Sequence, residues 1–215
     1  AQQPGRSLMP NVREPTLHPT PIQDLRPTQI TVGLREVEAK RRRWRELRKS
    51  KADFLGTHMI PVIRGPQNQF YVIDHHHLAR ALHDEGQTEV LTTVVADLHL
   101  LSPAAFWVFL DNRGWLHPFD ADGKRREYSA IPKRISKLID DPFRSLAGAV
   151  REAGGYAKDT TPFSEFIWAD YFRRRIKRSR LEENYEGSVA KSLVIAHAHE
   201  AEFMPGWCGP DHVIS

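Results

Sequence analysis

Between Pro61 and Gly86 the chain reads PVIRGPQNQFYVIDHHHLARALHDEG, and few architectures accommodate that run. Residues 60–64 and 70–73 are short β-prone stretches, and Gly65, Pro66, Gln67 and Asn68 between them supply turn chemistry. A helical pattern follows over 76–85 and closes at Gly86, the residue a helix C-terminus favours. Residues 90–95 form a nearly continuous β-prone run suited to a buried strand. The middle of the chain therefore predicts a β-turn-β-α-β unit. Its strand-to-helix junction carries Asp74, His75, His76 and His77 in succession.

That junction has an expected chemistry. The first N–H groups of a helix lack intrahelical partners, and the helix dipole makes that end attractive to anions. Histidines add donors, and charge when protonated. Asp74 could instead cap the helix, the commonest duty of an Asp there. Three consecutive histidines cannot all turn inward, so at least one faces the loop side. Arg80, three residues past His77, either lines the same anion pocket or is a surface charge. Arg64, at the end of the facing strand, is a candidate of the same kind.

Around this unit the pattern changes. Residues 1–21 are rich in Pro, Gln, Asn and Thr without periodicity and predict an extended or disordered arm. Residues 22–25 suit a short strand or turn. Leu34, Val37, Trp44 and Leu47 give a narrow apolar stripe that predicts a helix over 34–50. After Ser102 helices are expected over 103–110, 132–139, 142–153, 162–178 and 188–203, several opened by Pro in the first turn. The expected architecture is α+β: an α/β domain over 22–100 and a helical C-terminal segment over 101–215 packed against it.

Composition excludes several classes. No run approaches the roughly 18 apolar residues that span a bilayer, so no membrane role is expected. A single cysteine, Cys208, rules out an internal disulfide and leaves a cysteine-based zinc site implausible. His197 and His199 lie two apart on a predicted helix and so point to different sides, which argues against a shared metal. Asp120-Ala-Asp122-Gly123 opens like a calcium loop but lacks the later ligands and is read as a turn. No protein-only metal site is predicted. The formal charge of +4 permits a polyanionic partner, and the basic runs 40–51 (KRRRWRELRKSK) and 173–180 (RRRIKRSR) are where nucleic acid could bind. The Ala1 start fits a chain trimmed after signal-peptide removal, an exported or periplasmic protein, or equally a cytoplasmic one cut elsewhere.

Two motifs carry a family resemblance. One is PTQxxVGxxEV, here Pro27 to Val37. The other is a strand-turn-helix motif that reads here Asp74-His75-His76-His77-Leu78. In this order and spacing they resemble the ParB-like and sulfiredoxin-like superfamily, and within it the ParB-like nuclease branch, over roughly 22–98. The resemblance implies a small α/β fold whose helix N-terminus binds phosphate. It implies His75, His76 and His77 at the phosphates; Gln29, Arg80 and Arg64 are the further candidates for binding them. It also implies Glu36 as a catalytic base and Asp74 orienting substrate or a metal. This sequence departs from the pattern in two places: His75 replaces a turn Gly, and Leu78 stands where many relatives carry Arg.

Three functions follow as expectations. The first is a phosphoryl-transfer enzyme, a kinase or nucleotide hydrolase, acting on a nucleotide or phosphorylated small molecule. Magnesium would then be bound chiefly by phosphate oxygens. The alternative is a ParB-like nuclease cleaving DNA or RNA, with His76 or His77 as general acid or base. A third is a non-catalytic protein that binds nucleic acid or another anion.

Overall fold

The computed structural model describes residues 17–47 and 50–210. Strand β1 (Leu17–Pro21) is followed by a 3-10 turn and strand β2 (Leu25–Pro27). Strand β3 (Thr31–Val32) passes through Gly33 into helix α1 (Leu34–Glu46), and helix α2 (Lys51–Thr57) precedes strand β4 (Ile60–Arg64). A turn then leads to strand β5 (Phe70–Val72), helix α3 (His76–Asp84) and strand β6 (Glu89–Asp97). Helix α4 (Pro103–Asn112), strand β7 (Ile139–Asp140) and helices α5 (Pro142–Glu152), α6 (Ser164–Arg173), α7 (Arg178–Glu183) and α8 (Tyr185–His197) complete the described chain. The fold is mixed α+β.

The main sheet runs β1-β6-β4-β5-β2. Strand β4 is central because its residues Ile60, Val62 and Ile63 can all be buried, with β6 parallel on one side and β5 antiparallel on the other. Alternation along the strands divides the apolar side chains between two faces. Val62 and Val72 face α1 and α3, where Val37, Trp44, Leu78 and Leu82 complete one core. Ile63 and Tyr71 face α4, where Phe106 and Leu110 build a second. The C-terminal helices have their own core around Trp168, Phe172, Leu146 and Leu181.

The β-turn-β-α-β unit forms as the pattern predicts, but its last strand is not the buried one expected over 90–95: Val90 and Thr92 are buried while Val95 is exposed. Elsewhere the elements differ. The expected arm over 1–21 lies mostly outside the described residues, and its last five residues form β1, paired with β6. The helix expected over 34–50 ends at Glu46, and α2 follows where no helix was expected. The helix expected over 132–139 is a correction: only one 3-10 turn forms there, because Ile139 and Asp140 pair with β3 instead. The segment 101–215 is thus not wholly helical. The long helix expected over 162–178 divides into α6 and α7. Asp120 accepts the N–H groups of Asp122 and Lys124, so that segment is a turn as read.

Candidate functional site

Helix α3 begins at a strained residue. His75 is its N-cap, with φ 64° and ψ 27°, the left-handed region where a Gly would be at ease. Asp74 is not the cap: its Oδ1 takes the N–H of His75 itself, at 2.6 Å, and no side chain caps the helix. The α3 N-terminus therefore opens on a cavity of about 680 Å³ lined by Asp74, His75, His76, His77 and Leu78.

The three histidines do different things. His75 is exposed. His76 and His77 are buried, and each spends its Nε2 as an acceptor for a backbone N–H: Thr28 at 3.2 Å and Gly33 at 2.9 Å. Burial pushes the His76 imidazole down to about 3, helped by the neighbouring His77 and Arg144. Burial, then Arg144 and Lys40, push His77 well below the usual range. Both rings are neutral at pH 7, so neither is a charged phosphate ligand. They tie the PTQITVG loop to α3.

That tie sets the start of α1. Gly33 donates to His77, Leu34 donates to Asp140 Oδ1 at 2.8 Å, and Arg35 donates to Ser145 Oγ at 3.2 Å. Three of the orphan N–H groups of α1 are thus satisfied by three other elements. Gly33 has to be Gly, since a Cβ there would lie 2.6 Å from Ser145 N and Oγ. Glu36, in the first turn, is thereby fixed. Its Oε1 pairs with Lys40 at 3.3 Å. Its Oε2 lies 3.4 Å from His77 Nε2, yet it is buried without a hydrogen bond among the described residues. Gly148 makes the room, because a Cβ there would come within 3.2 Å of that oxygen.

The opposite wall comes from the C-terminal helices. Arg144 is buried, lies 3.5 Å over the Phe166 ring, and has an Nε without a partner among the described residues. Burial lowers its guanidinium to about 10 while Glu36 and Asp141 hold it up, so it stays cationic at pH 7. Arg151 pairs with Glu165, and Lys40, Arg43 and Lys158 add further positive charge to the lining. Trp115, Phe163 and Phe166 supply an apolar side.

Of the residues singled out from sequence, Gln29, Glu36, Asp74, His75, His76 and His77 are brought together on this cavity. Arg80 and Arg64 are corrections: they do not line it. Arg80 faces Asp84 and the Leu138 carbonyl, and Arg64 pairs with Asp97 at the far end of β4. The basic runs are partly neutralised, Arg41 and Arg45 by Glu38 and Glu85, and Arg173 by Asp141 and Asp170. Residues 48 and 49 of the first run lie outside the described residues. Arg144, Arg151, Trp115, Phe163 and Phe166 were missed. The available signal was Arg144 alone among small and apolar residues in PFRSLAGAV. Among the described residues, no group of three or more His, Cys, Asp and Glu could hold a metal ion, and no helix is long and apolar enough to cross a membrane.

Comparisons with known proteins bear on the family and the fold. Residues 18–174 match the model of the family described as "Putative ParB-like nuclease". The crystal structure of protein Atu1540 from Agrobacterium tumefaciens is similar throughout, with 52% sequence identity and a TM-score of 0.86. The match covers 91% of this chain and 99% of that one. No protein of curated function matches.

Proposed function

The chain belongs to the ParB-like nuclease family, and from that membership we propose that the cavity binds and hydrolyses a nucleic-acid phosphodiester. The α3 N-terminus, Arg144, Arg151 and Lys40 offset the phosphate charge. Glu36 takes the proton of an attacking water as its oxygen bonds to phosphorus. The ester P–O bond breaks, and the leaving oxygen takes a proton from solvent. His76 and His77 act as neutral struts that fix Glu36 and the loop, while Gln29, Asp74 and His75 border the bound phosphate. One observation carries this reading: Glu36 is a fixed carboxylate that shares a cavity with the buried Arg144, with an oxygen that no described group satisfies.

A second reading, phosphoryl transfer from a free nucleotide, is favoured by the size of the hollow. About 680 Å³ falls within the range of pockets that enclose small ligands. Magnesium would enter on the nucleotide's own phosphates, with Asp74 as the available carboxylate.

The test incubates the protein with single- and double-stranded DNA, RNA, and nucleoside triphosphates, with and without magnesium. Cleavage of a polynucleotide, reduced about 100-fold or more in Glu36→Gln with folding intact, is the expected result. Unchanged cleavage in Glu36→Gln removes Glu36 from the mechanism. Triphosphate turnover without strand cleavage selects the second reading. Salt-sensitive binding with no turnover of any substrate leaves only a binding role.

A further inference from the structure

The side of the cavity that the phosphate chemistry leaves unused is aromatic. Trp115, Phe163 and Phe166 line it, and each is only half-buried. They come from separate places in the chain. Trp115 follows Gly114, whose left-handed backbone (φ 66°) closes α4 and lies against Pro162. Phe163 is the N-cap of α6, and Phe166 sits in its first turn. His117 braces the group, its ring centroid 3.7 Å from that of Phe166 and 4.9 Å from that of Phe163.

Phe163 is the telling residue. Its φ of 59° and ψ of 27° place a bulky aromatic in the left-handed region, which Gly or Asn would occupy at less cost. The Phe163 side chain does not cap α6. Behind the aromatic side stands Arg144, stacked on Phe166, which also lines the cavity with Glu36. An aromatic wall and a buried arginine thus share one hollow, an arrangement complementary to a planar base joined to a phosphate.

We propose that Trp115 and Phe163 form a base-stacking subsite, with Phe166 held behind them between His117 and Arg144, so that the substrate is a nucleic-acid strand presenting an unpaired base beside the phosphate held near Arg144. The inference rests on the phosphodiester reading of the same cavity. A base within a duplex cannot reach this wall, because both its faces are already stacked. The subsite therefore selects single strands, loops or frayed ends.

The test measures binding in the full chain carrying Glu36→Gln, using fluorescence anisotropy of a short labelled DNA strand. The same strand with abasic sites, its duplex, and a nucleoside monophosphate competitor complete the set. The base-bearing strand is expected to bind about tenfold more tightly than the abasic one, the usual effect of losing one stacked base. Phe163→Asn, which suits the left-handed backbone, should erase that difference, and Phe163→Trp should keep it. Circular dichroism melting confirms that the variants fold. Equal affinity for base-bearing and abasic strands, no strand binding, tighter duplex binding, or an unaffected Phe163→Asn would overturn the subsite. A monophosphate competing as strongly as the strand overturns the strand and assigns the wall to a free nucleotide. Base-dependent binding in a protein that cuts nothing leaves the subsite standing and removes the nuclease. Cleavage that is blind to missing bases does the reverse.

Discussion

His76 and His77 are adjacent and chemically identical, and both are consumed by the backbone of one distant loop. Their partners lie 48 and 44 residues away, at Thr28 and Gly33. Truncating His77 leaves the Gly33 N–H buried and unsatisfied, which costs roughly 1–3 kcal/mol. His77→Ala should therefore lower the unfolding free energy from urea titration by that amount, and His77→Gln, which keeps an acceptor, should recover part of it. Cleavage should also fall in His77→Ala, because the Gly33 tie that fixes the first turn of α1, and Glu36 within it, is lost. Equal stability of His77→Ala and wild type would show that the Gly33 bond carries no weight. The adjacency of the histidines was visible in sequence and pointed to a junction that does line the cavity. Their duty was not, because an imidazole acceptor is assigned by a donor that only folding brings near.

At the scale of elements, the junction from β5 to α3 depends on one left-handed residue. A β-branched side chain there meets the full steric cost of that region, about 1–2 kcal/mol. His75→Val should lower the melting temperature, and His75→Gly should hold or raise it. A higher melting temperature for His75→Val than for His75→Gly would refute the strain argument. Local signals served well where turn and cap residues bound an element: Gly65 to Asn68 and Gly86 framed β4, β5 and α3 correctly. They failed over 132–139, where helical spacing lost to a two-residue pairing with β3. No local pattern announces a partner strand more than a hundred residues upstream.

For the whole molecule, two buried rings and one half-buried ring contribute to the response to acid. His76 and His117 are held at about 3 by burial, and His77 is also held low. Unfolded, each would take up a proton near 6.5. Stability is thus complete above that pH and is lost as pH falls toward 3, each ring contributing up to about 1.4 kcal/mol per pH unit within the window. Urea midpoints measured across pH 7 to 4 should decline steeply, and His117→Phe should flatten the decline. A flat profile would contradict it. The candidate site was half legible in the sequence. Motifs in 27–37 and 74–78 identified one wall, while Arg144, Trp115, Phe163 and Phe166 belong to helices whose sequence speaks of packing.

The outer strands of the sheet have a consequence for how copies of this chain meet. Strand β1 holds Pro19 and Pro21, and β2 holds Pro27. Proline has no N–H to offer a neighbouring strand. A second molecule trying to extend the sheet would find broken hydrogen-bond ladders at either margin. Among the described residues, then, growth of the sheet into fibres or strand-exchanged pairs is disfavoured by the margins themselves, however concentrated the protein becomes.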